Sequence, residues 1–323
     1  MQQLKTPARF LSTTLILLLM ASWSVAWAGE PVKSSASQQA VLQWINSYRA
    51  KPEPERLAEV VKALHKLGLL RDLETAGVYI GFTAGVLGTN PHKARHLIAG
   101  MFPMPPESQV IIIRAIAYSG LPDWKDLLRD FSERMPVREV LIRRLLDGKL
   151  PTLERLQLQS SPAALDTNWG YYFASGSPAP VKRIIDALAW VKEGNDLDRL
   201  TAGNMAKWTL ANNAMQDKDL IDLLKADLTR RSGGVRTELA DVIEAAETFE
   251  TARIRKQAQA AIEDLRVKGP ASRRQMSFWS QAGQTALALG CVVAGALGHP
   301  EVAVPCVIGG AATSAAIKVL TPQ

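Results

Sequence analysis

Apolar residues recur at helical spacing along most of this chain. Val41, Trp44, Ile45 and Tyr48 fall at i, i+3, i+4 and i+7 after Ser37, a residue suited to an N-cap. Leu57, Val60, Val61, Leu64 and Leu67 repeat the pattern between Pro54 and Gly68, with proline at the start and glycine past the end. The same punctuation continues downstream. Asn90-Pro91 opens a helix through Met101, Pro106 one that ends at Gly120, Pro122 the next, and Pro136 another that ends at Gly148. Ser161-Pro162 opens a helix carrying Trp169, Tyr171, Tyr172 and Phe173, and Pro180 one with Ile184, Ile185, Leu188 and Val191 on a single face. Alternating strand patterns are absent. Val110-Ile111-Ile112-Ile113 comes nearest, but Arg114-Ala115-Ile116-Ala117 extends it with helix-compatible residues, so the run reads as a buried helix. A long polar helix is expected over 235–267, with Leu239, Val242, Ile243, Ala246, Phe249 and Ile254 as its apolar stripe. The pattern predicts an all-α protein, an irregular stack of helical hairpins that is either solenoid-like or globular, without a fixed-period repeat.

The two ends of the chain depart from this pattern. Lys5 and Arg9 precede an uncharged stretch from 10 to 28 centred on Leu15-Ile16-Leu17-Leu18-Leu19, and Ala26-Trp27-Ala28 has the small-x-small form that signal peptidase accepts. Residues 1–28 are therefore expected to be a cleaved export signal, and 29–38 a loose tail. An all-α domain over 39–268 follows, closed by the linker-like Lys268-Gly269-Pro270-Ala271-Ser272. Beyond it, residues 275–300 and 302–317 carry no Asp, Glu, Lys or Arg, and both are rich in Ala and Gly. With Gly298-His299-Pro300-Glu301 as a turn between them, residues 275–320 read as a hairpin of two small-residue helices.

The two cysteines of the chain fall in that hairpin. Cys291 lies seven residues before Gly298 and Cys306 five after Glu301, which puts them at nearly the same height in an antiparallel pair. Disulfides persist in an exported protein, so a Cys291–Cys306 bond is expected, worth about 3 kcal/mol in the chain-entropy account. The hairpin either docks on the helical body or associates with a second copy, its small residues permitting close contact. The other reading is entry into a bilayer, against which the short second arm and Gln281, Gln284 and Thr285 in the first both count.

Charge adds little. The chain has 38 Lys and Arg against 31 Asp and Glu, a net of +7, of which Lys5 and Arg9 belong to the leader. The basic residues are interspersed with acidic ones, as in Asp217-Lys218-Asp219, which reads as a solvated face. No basic stripe with interleaved aromatics occurs, so nucleic acid is not an expected partner.

Three clusters are candidates for function. Gly77, Gly81 and Gly85 share one helix face, with Gly88 following. Each costs about 1 kcal/mol relative to alanine in a helix. The compensation is either close approach of another backbone or a ligand groove. Trp169, Tyr171 and Tyr172 either pack in the core or line a pocket. His92 and His96, four apart on a predicted helix, could face one metal ion, but no third ligand accompanies them and no His-Glu-x-x-His motif exists; two exposed polar residues is the simpler reading. The nucleophile-elbow, Ser-x-x-Lys, phosphate-loop and dinucleotide fingerprints are all missing. No catalytic residue and no cofactor is assigned.

Residues 81–91 (GFTAGVLGTNP), 114–128 (RAIAYSGLPDWKDLL), 169–188 (WGYYFASGSPAPVKRIIDAL) and 206–214 (AKWTLANNA) together resemble uncharacterised exported helical proteins of proteobacteria. The resemblance implies export and helicity and brings no activity, ligand or site residue. The expected function is a non-catalytic interaction or scaffold module of the cell envelope, periplasmic or secreted, with a protein partner or self-association. Alternatives are a membrane-associated protein inserting residues 275–320, and an enzyme of unknown reaction.

Overall fold

The stretch GVYIGFTAGVLGT has no polar face to offer water, and the structure spends it accordingly. It forms a helix in which every residue from 77 to 87 is buried. The computed structural model describes residues 38–268 together with 306 and 307. Among the described residues all regular structure is helical: α1 (Gln38–Ser47), α2 (Leu57–Lys66), α3 (Gly77–Thr89), α4 (Ala94–Met101), α5 (Pro106–Tyr118), α6 (Trp124–Ser132), α7 (Glu139–Leu146), α8 (Pro162–Ser175), α9 (Pro178–Asp186), α10 (Leu197–Gln216), α11 (Lys218–Leu228), α12 (Gly233–Glu247) and α13 (Thr251–Lys268). The fold is all-α, as the periodicity predicts, and the Val110–Ile113 run lies inside α5, fully buried.

Two central helices organise the body. α3 packs on α8 and α5, while α10 packs on α12, α13, α11 and the turn at 187–190. The principal partner of α3 is thus remote in sequence, which makes the arrangement globular and not a solenoid of nearest neighbours. α1 closes over the first centre through Trp44, Tyr48 and Phe82, whose rings meet edge-on at 5.1–5.3 Å.

The α3–α8 contact is set by glycine. A methyl group built on Gly77 would lie 2.4 Å from the Ala163 carbonyl oxygen, one on Gly81 1.9 Å from that of Thr167, and one on Gly85 2.7 Å from the Ala174 side chain. Gly170 reciprocates from α8, its added methyl falling 2.1 Å from the Val78 carbonyl. Residue numbers rise together along both helices, so the two run parallel and end at the same side of the molecule.

The long helix expected over 235–267 is instead two. Thr248 donates its amide and its hydroxyl to the Glu244 carbonyl, and the Glu250 amide reaches back to Ala245. Phe249 between them takes a left-handed backbone at φ +59° and is 75% exposed, so it belongs to no apolar stripe. The break turns α13 back so that Ile254, Ala258 and Ile262 are buried in the same core as α10. A straight helix would have carried them into water.

The leader 1–28, the tail up to residue 37, the linker after Lys268, and the hairpin apart from residues 306 and 307 lie outside the described residues. Cys306 and Val307 themselves are not helical, although the pattern places them within a helical arm.

Gly81→Ala is expected to force α3 and α8 apart and lower stability by about 3 kcal/mol, at the upper end for overpacking. Gly234→Ala, in the first turn of α12 with nothing within 4 Å, should be neutral or raise stability by about 0.5–1 kcal/mol. Denaturant midpoints of the two variants check the opposite signs.

Candidate functional site

Parallel packing brings the C-terminal ends of α3 and α8 to one place, and the chain leaving α1 arrives there too. Tyr48, Arg49, Thr89, Asn90, Tyr172, Ser175 and Gly176 line the resulting cleft of about 520 Å³, with Asp219 and Leu223 of α11 opposite. Gly176 stops α8 with φ +66°, and the aliphatic part of Arg49 passes beside it. The Arg49 guanidinium sits 4.5 Å from the centre of the Tyr172 ring, donates to the Tyr172 hydroxyl at 3.0 Å, and pairs directly with Asp217. Tyr172 donates to the same Asp217 oxygen at 3.0 Å, while the other oxygen of Asp217 caps α11 by accepting from the Leu220 amide at 3.1 Å. Burial, reinforced by Asp217, pushes the Tyr172 hydroxyl well above its ordinary value. Asp219 stands 3.8 Å from Arg49 and is 83% exposed.

Tyr48 differs from its neighbours. Its hydroxyl is buried; burial pushes it up to about 12 against the opposing effect of the nearby Asn90 side chain, so it remains protonated.

A second polar cluster lies at the α10–α12 contact. Lys207 is buried and its ammonium donates to Glu238 and Asp241, each at 2.6 Å; Lys192 reaches Glu238 at 2.8 Å and Arg253 reaches Asp241 at 2.7 Å. Burial alone would push both carboxyls up. Hydrogen bonds and attraction from Lys192 and Lys207 at Glu238, and from Lys207 and Arg253 at Asp241, outweigh it and leave both below their ordinary values. The cluster borders a cavity of about 390 Å³.

A third feature is on α10. The buried Asn213 carboxamide accepts from the Cys306 amide at 2.8 Å and donates to the Cys306 carbonyl at 3.1 Å. Cys306 and Val307 are 3% and 9% exposed and join the same hydrophobic core. Here the side chain of Asn213 supplies both partners that a helix would take from its own backbone.

Among residues singled out from sequence, Gly77, Gly81 and Gly85 face the α8 backbone. Trp169 is fully buried and donates to the Thr209 hydroxyl at 3.0 Å, bridging the two centres. Tyr171 donates to the Ser119 carbonyl at 3.0 Å, and of the three aromatics Tyr172 lines the cleft. His92 and His96 are exposed, and no group of three or more metal-ligating side chains occurs among the described residues. Cys306 is placed as above; Cys291 lies outside the described residues. Asp217, which the alternating charges put on a solvated face, is instead 18% exposed, because the cap of α11 and the Arg49 pair hold it inward. Arg49, Lys207, Asn213 and Glu238 are the residues sequence reasoning missed. An N-cap signature at Asp217 is the one signal that could have pointed here.

Lys207→Met is expected to lower stability by about 3 kcal/mol, since it leaves two carboxylates facing each other without the shared ammonium. Carboxyls held below their ordinary values favour the folded state above those values and lose that contribution as pH falls through them. The melting temperature should therefore fall below about pH 4.5, the ordinary value for Glu238, and less steeply in Lys207→Met. Thermal melts over a pH series check both expectations.

No described protein family, curated protein or solved structure matches this chain.

Proposed function

We propose that this chain is an exported, non-catalytic interaction module of the cell envelope, whose C-terminal apolar segment is held on the helical body and not inserted in a bilayer. The observation that carries the reading is the double hydrogen bond from Asn213 to Cys306. A bilayer segment has to satisfy its backbone internally. Here one backbone unit of the C-terminal stretch is satisfied by a side chain of the body, and its two residues are packed among core side chains. Among the described residues no helix is long and apolar enough to cross a membrane.

Export rests on the basic start, the uncharged stretch and Ala26-Trp27-Ala28. The resemblance to exported helical proteins points the same way. Oxidation of Cys306 with Cys291 would fasten the two arms of the C-terminal segment beside the Asn213 anchor; the described residues contain no free thiol. The ionisable side chains of the Arg49 and Lys207 clusters are largely engaged with one another, as suits a scaffold more than a reaction centre.

The test is fractionation of the cell envelope with Asn213→Ala beside the parent chain. The parent should be released by high salt without detergent and should resist protease after residue 268. The variant should be cut there, because the Cys306 amide and carbonyl each lose a buried partner at about 1–3 kcal/mol. Unreduced peptide mapping should join Cys291 to Cys306. A parent that needs detergent, or an Asn213→Ala variant as resistant as the parent, rules out docking; alkylation of both sulfurs in the native protein rules out the clasp.

A further inference from the structure

We propose that the cavity between α10, α12, α13 and residues 191–192 is a binding site for a primary carboxamide on a short aliphatic chain. Asn204 is the residue that points to a ligand. It is 3% exposed and lines the cavity. Its amide nitrogen donates to the Val191 carbonyl at 3.1 Å and to the Leu200 carbonyl at 2.9 Å. Both N–H bonds are spent on the protein, which fixes the orientation of the group. Among the described residues nothing donates to its Oδ1 atom. The Gln109 amide oxygen also lacks a donor, but it is sealed in the core. Asn204 Oδ1 is not sealed, and its opening is the cavity. A buried acceptor of this kind is satisfied by whatever occupies the space in front of it.

The neighbouring walls select the chemistry. Lys207, also lining the cavity, has three N–H bonds, of which two go to Glu238 and Asp241 at 2.6 Å. One remains. Thr237 at the rim gives its own proton to the Gly233 carbonyl at 3.4 Å and so presents lone pairs. The walls thus hold acceptors at Asn204 and Thr237 and a donor at Lys207. A primary carboxamide carries the complement, two N–H donors and one carbonyl acceptor. Charge disfavours the alternatives. A cationic ligand would meet Lys192, Lys207 and Arg253, and a carboxylate would meet Glu238, Asp241 and the Asn204 oxygen. A neutral group meets neither opposition. Val191, Ile254 and Ala261 supply apolar wall for the chain behind the amide, and a volume of about 390 Å³ suits a small ligand.

A glutamine side chain in a peptide and a free aliphatic amide both present this chemistry. The mature full-length chain, labelled at its isoleucine methyls, would be titrated by NMR with Nα-acetyl-glutamine methylamide in one arm and butyramide in the other. The Ile254 methyl reports on the cavity, and Ile112 of α5, which does not border it, serves as the internal reference. Butyrate, butylammonium and N,N-dimethylbutyramide are the controls; the last keeps the carbonyl and loses both N–H donors. A saturable shift at Ile254 with a primary amide, about tenfold weaker or absent with every control, supports the site, and the tighter amide identifies the source. Ala261→Leu, a half-buried wall residue, should fill the cavity and remove the shift without lowering the melting temperature. Asn204→Leu should weaken the amide about tenfold. It also takes a donor from the Val191 and Leu200 carbonyls, so where it fails to fold, N,N-dimethylbutyramide tests the same hydrogen bond from the ligand side. No saturable shift with either amide means that the cavity holds water alone and overturns the proposal. Equal binding of N,N-dimethylbutyramide, or unchanged affinity in Ala261→Leu, does the same. None of these outcomes bears on where the C-terminal segment docks.

Discussion

The seam of glycines between α3 and α8 is the constraint from which the rest of this structure follows. With Gly77, Gly81 and Gly170 carrying no side chain, carbonyl groups of one helix occupy the space a methyl would fill on the other. Dispersion between two backbones at this distance is summed over many atom pairs, and α3 has no polar face that would let it sit anywhere but the interior. The seam also fixes direction. Because α3 and α8 run parallel, their dipoles add where an antiparallel pair would cancel them, and the negative ends converge. Arg49 answers that convergence, with its methylenes beside Gly176 and its guanidinium on Tyr172. The cleft is a consequence of how two helices without side chains at their contact have to end.

Polar groups inside this body are handled in two ways. At α10–α12 the charges are satisfied in a closed set: Lys207 shared by Glu238 and Asp241, with Lys192 and Arg253 completing the second oxygens. Such a cluster adds little net stability over apolar packing but is costly to break from one side, so it acts on register more than on strength. Around Arg49 the set is open. Asp217 is saturated by Arg49, Tyr172 and the α11 cap, whereas Asp219 faces solvent. The same inventory of residue types yields a closed structural knot in one place and a partly solvent-exposed set in the other.

Much of the helical layout was legible because its signals are local. Proline at or just before the start and glycine past the end marked α2, α5 and α7, and Pro162 marked the start of α8, and the four-residue spacing of Gly77, Gly81 and Gly85 announced a close contact without naming its partner. α10 was illegible for a physical reason. Its buried face contains Thr201, Asn204, Lys207, Thr209 and Asn213, polar residues satisfied only by tertiary partners or the preceding turn, so it shows no apolar stripe. The break at Phe249 carries neither glycine nor proline and is set by where α13 has to pack. The cleft was out of reach altogether, since Tyr48, Asn90, Tyr172 and Asp219 come from four segments that only the fold assembles.

The end of α10 links the two features that matter most for function. Asn213 lies in the last turn of α10, and Asp217 follows that helix as the extended residue that caps α11. The first holds the backbone of Cys306; the second holds Arg49 and Tyr172 and starts α11. The anchor of Cys306 and the capped start of α11 that pairs with Arg49 thus lie within four residues of each other, at the junction where α10 gives way to α11.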